Sequence, residues 1–383
     1  KIINRSRSLL LSLRYKGKTM NLHSLKIAVI SGDGIGREVV PEGVRILEAI
    51  CKKLAINLSF EEIQWGNCDY YLKHGQMMPD DWRSQLSAYD AIFLGAVGWP
   101  AKVPDHISLW GSLLLIRREF DQYVNYRPVR LFDGVPCPLA NMRPGNMDFV
   151  IIRENTEGEY TDIGGMIFAG TEREVVVQQS IHTRFGSERI LRFAMDVASK
   201  TKRKTLTVAT KSNGLAISMP WWDKCASQLA DQEYPALMVD KVHIDALAAK
   251  FVKDPQSLNV VVATNLFGDI LSDLGPACSG TLGLAPSGNI NPTGEFPSLF
   301  EPVHGSAPDI AGMGIANPVG AIWSIAMLLQ HSKQITPEAA KTAHAIILSA
   351  IEIVLRKGPK TRDLGGRALT SEMGKAIERK VTN

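Results

Sequence analysis

The chain has 383 residues, 45% of them hydrophobic and 21% charged, with a formal net charge of +4. That length suits one large core or two moderate ones, with two domains the expectation, and no apolar run is long enough to span a bilayer. The positive balance indicates no nucleic-acid surface, because residues 1–20 hold Lys1, Arg5, Arg7, Arg14, Lys16 and Lys18 and no acid, while the rest is slightly acidic.

Residues 1–19 read as a leader outside the fold, either an organelle transit segment or an upstream extension: LLLSL at Leu9–Leu13 is short for a secretory core and no A-x-A site follows. From Lys26 strand-like and helix-like segments alternate: KIAVIS, a helix from Gly36 to about Leu54, LSFEEIQW, a helix near Asp80–Ala88, then DAIFLGAVG. Ser108–Phe120 reads as a helix ending in an Arg pair, YVNYRPVRL as a strand broken by Pro128, and Asp148–Arg153 as another strand. After a turn at Gly164 and Gly165, EVVVQQSIHT nearly alternates and suits an exposed hairpin or arm. KTLTVAT leads into a helix containing Pro220 and Trp221, ALMVDKVHID into ALAAKFV, and VVVAT into a helix from Gly268. A closing helix has Thr336 as cap, Pro337 at its first position and Gly358 after its end. This is an α/β pattern with a largely parallel sheet, and the lack of a linker points to a second domain that is an insertion. The five cysteines, Cys51, Cys68, Cys137, Cys225 and Cys278, are scattered with no C-x-x-C pair and read as reduced thiols of an intracellular, cytoplasmic protein.

Chemistry concentrates in NLFGDILSD, where Asp269 and Asp273 lie one turn apart on a helix otherwise rich in apolar residues. No Lys or Arg occurs between Lys253 and Lys333, so buried carboxylates there would lack a local counter-charge, and a hard divalent cation is the simplest resolution. The bland reading is a solvated acidic face or a distant Arg partner. Arg117, Arg127 and Arg153 each end a mostly apolar element; three converging would grip a di- or tricarboxylic acid, while any one alone fits a surface ion pair. Tyr160 and Lys211 are proton carriers if a neighbour shifts their pKa, and otherwise structural. Asp245 opens a helix as a cap or as a third metal ligand, with the cap the better local reading. SGDGIG has G-x-G-x-G spacing, a tight strand-to-helix turn and not a dinucleotide fingerprint. The loop Gly305–Ile310 offers either a close backbone approach to a nucleotide or a plain connection.

Taken in order, GDGIG, LLLIRR, NYRP, RENTEGEY, TKSNG, HIDALA, NLFGDILSDL, EPVHGSAPDI and IANP resemble the metal-dependent β-decarboxylating dehydrogenases of 2-hydroxy acids, the isocitrate/isopropylmalate dehydrogenase family, from Lys26 to about Gly358. VPDHISLW and TKSNGLAISMP look most like its tartrate/D-malate branch. The resemblance implies a doubly wound α/β large domain built from both chain ends (20–122 and 280–383). A smaller inserted α/β domain (123–279) would carry the arm of a homodimer. It further implies that Arg117, Arg127 and Arg153 bind substrate carboxylates and that Tyr160 and Lys211 are catalytic. Asp245, Asp269 and Asp273 would bind Mn²⁺ or Mg²⁺, with Lys211 and Asp245 lent by the second subunit so that the sites are shared. NAD contacts would come from Ile35, Leu282, Gly283, His304, Gly305, Ser306, Ala307, Asp309, Ile310 and Asn317, and the acid at Asp309 favours NAD over NADP. A monovalent cation such as K⁺ would be an optional addition. The implied reaction is oxidation and decarboxylation of a small 2-hydroxy dicarboxylic acid, D-malate to pyruvate and CO₂, with tartrates also accepted. Trp110 departs from the Glu usual in isopropylmalate enzymes, which leaves 3-isopropylmalate as the rival substrate and a non-catalytic regulatory subunit as the rival of another class. No membrane or nucleic-acid partner is implied.

Overall fold

The computed structural model describes residues 24–383, with the backbone of two short strands before them, β1 (Leu13–Tyr15) and β2 (Lys18–Met20), paired antiparallel. The remainder of the expected leader lies outside the described residues. The strands that follow are β3 (Ser24–Gly32), β4 (Asn57–Glu62), β5 (Ala91–Ala96), β6 (Val124–Arg130), β7 (Asp148–Glu154), β8 (Gly164–Ile167) and β9 (Val175–Gln178). Then come β10 (Thr205–Thr210), β11 (Met238–His243), β12 (Val260–Ala263), β13 (Pro286–Ile290) and β14 (Ser298–Pro302). Ten of these make one sheet in the order β11-β10-β12-β7-β6-β13-β14-β5-β3-β4. Pairing is parallel except at β7–β6, β6–β13 and β13–β14, so the expectation of a largely parallel sheet holds. The half from β11 to β6 comes from the middle of the chain and the half from β13 to β4 from its two ends, and they join at β6–β13 over three residue pairs.

Short β-branched runs form the inner strands because both faces are covered: every residue of VVVA in β12 is buried, each valine contributing about 1.5–3 kcal/mol relative to exposure. The Val319–His331 helix is apolar almost all round, and Val319 through Leu329 are buried between the sheet and its helical neighbours.

Several elements differ from the sequence expectation. The helix expected over Ser108–Phe120 is two pieces, Asp105–Ser108 and Leu113–Glu119, because Ser112 leaves the helical conformation (φ −139°, ψ −89°) and its hydroxyl donates to the Ser108 carbonyl at 2.5 Å. Strand β6 runs through Pro128, which pairs with Val150 of β7 but lies beyond Tyr126, where pairing with β13 stops; the missing N–H faces no ladder. The helix expected from Gly268 starts at Asn265, since Glu159, far upstream, accepts from the Leu266 N–H at 3.0 Å. The helices Cys68–His74, Arg184–Lys200 and Val319–His331 were not anticipated. The Thr336 cap, which accepts from Ala339 N, opens Pro337–Lys357 as expected, yet that helix is not the last: Thr370–Thr382 follows.

The β8–β9 hairpin is exposed on every residue, and Met166, Ile167, Phe168 and Val175–Val177 stand in solvent. All five cysteines are free, and among the described residues no helix is long and apolar enough to cross a membrane.

Candidate active site

Strands β6 and β7 carry Asn125, Arg127 and Arg153 on one face, since Asn125 stands opposite Arg153 in the antiparallel register and Arg127 is two residues on. That face meets the Asn265–Ser279 helix. Arg153, 2% exposed, donates through Nε and Nη2 to Asn265 Oδ1 at 3.0 and 2.7 Å, and its Nη1 bonds the Asp269 carboxylate. The helix can come this near because residue 268 is glycine: a Cβ there would lie 2.5 Å from Arg153 Cβ and Cγ. Arg127 donates to Asn125 Oδ1 at 2.8 Å and to Ser272 Oγ at 3.3 Å, with Asp273 Oδ1 4.0 Å away. The Tyr160 hydroxyl donates to the second oxygen of Asp269.

Arg117, from the Leu113–Glu119 helix, completes the cluster. Its Nη2 donates to Glu301 Oε1 at 3.1 Å, and its Nε has no partner among the described residues. Glu301 also accepts from Asn289 at 2.8 Å, and Asn289 Oδ1 accepts from Asn125 at 2.9 Å and Asn155 at 3.0 Å. A buried polar chain thus runs Arg117–Glu301–Asn289–Asn125–Arg127 across the β6–β13 junction, each member bonded to the next.

Charge in this basin is densely coupled. Burial, then the Arg153 charge beside it, pushes the Arg127 guanidinium down to about 10. Burial likewise lowers Arg153, with Asp269 partly offsetting it. Burial would raise the Asp269 carboxyl, but Arg153, the Tyr160 hydroxyl, Arg127 and Arg117 outweigh it and hold the acid below its ordinary range. The Tyr160 phenol is raised by burial and by its bond to Asp269.

One sequence argument is overturned here. The Asp269 and Asp273 helix is not buried around its circumference: Leu266 and Ile270 are 37% and 53% exposed, and the Asp273 side chain 61%. Nor do the acids lack cations, which arrive from β6 and β7, over a hundred residues upstream. What favours a metal is the donor set. Two hard carboxylates one turn apart beside an open face fit Mg²⁺ or Mn²⁺, leaving positions for substrate, water and a further acid. Among the described residues no three His, Cys, Asp or Glu side chains gather closely enough to hold an ion. Asp245 is elsewhere: it stands exposed in the first turn of Ile244–Lys253, where His243 and not Asp245 is the N-cap, and it pairs with Lys211 Nζ at 3.0 Å. The Lys211 bond holds the Asp245 carboxyl below its usual range.

The residues proposed for a nucleotide group around the other chain segments. Ile35 N donates to the Ser306 carbonyl at 2.8 Å, and Ser306 Oγ bonds the Gly98 carbonyl. Gly34 (φ +53°) permits this docking, for a Cβ on it would lie 1.9 Å from Ser306 O. Gly283 packs on Asn317, whose Nδ2 donates to Asp363 at 2.9 Å, with Leu282 exposed beside it. His304 keeps a buried Nε2 without a partner among the described residues, and Gly305 and Asp309 are exposed with Ala307 and Ile310 half-buried.

A family model described as isocitrate/isopropylmalate dehydrogenase matches residues 26–377. The chain belongs to that family. It is 60% identical over 356 residues to a D-malate dehydrogenase [decarboxylating] of Escherichia coli (strain K12), covering 93% of this chain and 98% of that one. Identity is also 60%, over 359 residues, to a tartrate dehydrogenase/decarboxylase of Pseudomonas putida, covering 94% and 98%. Its structure is similar to crystal structures of an isocitrate dehydrogenase from Methylococcus capsulatus (TM-score 0.82, 33% identity, 94% of this chain and 100% of that) and a beta-decarboxylating dehydrogenase from Thermococcus kodakarensis (0.73, 34%, 93% and 96%).

In this member of the family the sequence reading missed Asn125, Asn265 and Glu301, which hold the arginines, Asn289, which joins Glu301 to Asn125, and Arg118, whose Nη2 donates to the Tyr160 carbonyl at 2.8 Å. A signal existed for Glu301, a charged residue between apolar neighbours in SLFEP, a segment with a strand's length.

Proposed function

We propose that this protein is an NAD-dependent, divalent-metal-dependent enzyme that oxidises and decarboxylates a small 2-hydroxy dicarboxylic acid, D-malate to pyruvate and CO₂, with tartrates as slower substrates. The observation that carries the reading is the convergence of Arg117, Arg127 and Arg153 beside the bonded pair Tyr160–Asp269. The 60% identity to D-malate and tartrate enzymes supports the choice of acid.

The guanidiniums grip the two carboxylates, fixing the C2 hydroxyl toward the acidic face of the helix. Asp269 and Asp273, with Asp245 of a second copy, would hold Mg²⁺ or Mn²⁺, whose charge would favour the alkoxide form of the C2 oxygen, and NAD would supply the hydride acceptor. Lys211 of the second copy takes the hydroxyl proton. Loss of CO₂ β to the new carbonyl leaves an enolate, and the Tyr160 phenol, its pKa raised by burial and by Asp269, protonates carbon. The exposed Met166–Phe168 and Val175–Val177 ribbon is the segment through which two copies would clasp, and the β6–β13 junction would be the boundary of the inserted domain (123–279). Trp110, half-buried in the turn just before the Leu113–Glu119 helix, disfavours an isopropyl substituent and with it the 3-isopropylmalate reading.

NADH formation with Mn²⁺ on D-malate, L-tartrate, isocitrate and 3-isopropylmalate tests this. D-malate should give the highest kcat/KM; preference for 3-isopropylmalate or isocitrate would overturn the substrate, and inactivity on all of them would favour a regulatory subunit.

A further inference from the structure

We infer that Arg118 is a positioning residue for Tyr160 and that Trp110 holds Arg118 in place, an inference resting on the reading of Tyr160 as proton donor. Tyr160 lies in the irregular segment between β7 and β8, between the isolated bridge of Gly158 with Ile181 and the Ile163 carbonyl that accepts from Gln179, and its own backbone belongs to no sheet ladder. Its hydroxyl is tied to Asp269 and its ring lies under the Arg153 guanidinium, 5.2 Å from centroid to Cζ. Its backbone carbonyl accepts from Arg118 Nη2 at 2.8 Å, across 42 residues of sequence. The Arg118 guanidinium in turn sits 4.6 Å from the centre of the Trp110 ring.

The geometry divides labour between consecutive residues of one short helix. Arg117 turns into the sheet toward Glu301, while Arg118, half-buried, turns outward to Trp110 and the Tyr160 loop. A planar guanidinium can lie flat on an indole and still donate in its own plane to a carbonyl; an ammonium cannot do both with the same geometry. The helix that presents a substrate-binding arginine thereby also sets where the phenol stands. Trp110 gains a role the carboxylate usual at that position in isopropylmalate enzymes would not fill, since a carboxylate would pair with Arg118 and draw it off the carbonyl.

Two measurements on the full-length protein test this, one of them independent of turnover. Amide hydrogen exchange should quicken roughly tenfold over residues 155–163 in Arg118→Gln and in Trp110→Leu, with the Leu113–Glu119 helix unchanged; Trp110→Phe, which keeps an aromatic face, should lose less. In steady-state assays on D-malate, Arg118→Gln should lower kcat about tenfold with KM within roughly twofold, and Arg118→Lys should recover only part of that loss. In a Tyr160→Phe background the Arg118→Gln change should cost nothing further, because the group it positions is already gone. Unchanged exchange over 155–163 would overturn the inference. So would a raised KM at constant kcat, which would make Arg118 a substrate ligand, or an effect that adds in full to Tyr160→Phe. If the unmodified chain turned over no 2-hydroxy acid, the functional reading would fall, and the exchange comparison would still decide whether Arg118 and Trp110 hold the segment.

Discussion

Replacing Glu301 with glutamine asks how far the arginines proposed to bind substrate depend on charge supplied by the sheet. Arg117 and Glu301 keep 7% and 8% of their side chains exposed and meet at 3.1 Å. Removing one partner from a pair this deeply buried costs about 3–5 kcal/mol, because the remaining ion has neither water nor a counter-charge. Glutamine keeps a neutral acceptor for Arg117 and for Asn289, which donates to the same oxygen at 2.8 Å. Retaining such a bond returns about 1 kcal/mol, so the expected loss of unfolding free energy is about 2–4 kcal/mol. Urea denaturation followed by far-UV circular dichroism measures it, at one protein concentration because any linked association would move the midpoint. A saturating dicarboxylate that is not turned over should then stabilise the variant more than the unmodified protein, since it brings the missing negative charge. A variant within roughly 0.5 kcal/mol of the unmodified protein, the range of an inconsequential surface change, would refute the reasoning.

Removing divalent cation is expected to abolish turnover, and Asp269→Asn to weaken metal binding by more than the roughly 10–100-fold typical of losing an outer-shell support; full activity in excess chelator, with metal verified absent, would contradict this. NAD should be preferred over NADP if the exposed Asp309 carboxylate faces the adenosine ribose, where it would repel a 2′-phosphate, and Asp309→Lys should then narrow the gap in kcat/KM. Mixing inactive Tyr160→Phe and Lys211→Ala chains should restore activity if each site draws Lys211 from a second copy; no recovery despite demonstrated subunit exchange would count against shared sites.

The elements most readable from sequence were those whose local chemistry agreed with their surroundings. The VVVA strand, the Thr336–Pro337 helix start and the exposed EVVVQQ ribbon carried their own signals of burial, capping and alternation. Where the reading failed, a distant partner had overruled the local pattern. Glu159 moved the start of the Asn265 helix, and Ser112 broke an apolar run that had the right period for one continuous helix. The acidic pair stands out in sequence for lacking counter-charges in its own stretch, but the fold brings them from Arg153 and Arg127, the distant partners that were the bland alternative. Asparagines such as Asn125 and Asn289 carry no local sign of their task, since an amide in a strand declares its partners only when the neighbouring strands are known.

The β6–β13 junction also bears on how the protein comes to be active. Asn125 and Asn289 are 164 residues apart and Arg117 and Glu301 are 184 apart, yet all four meet at the place where the middle of the chain joins its ends. Loops of that length close slowly and give nothing back until the contact forms. During synthesis the arginine grip therefore stays incomplete until the chain has extended past Glu301, and on refolding the capacity to bind a dicarboxylate should return after secondary structure does, with the joining of these two strands as the step that separates them.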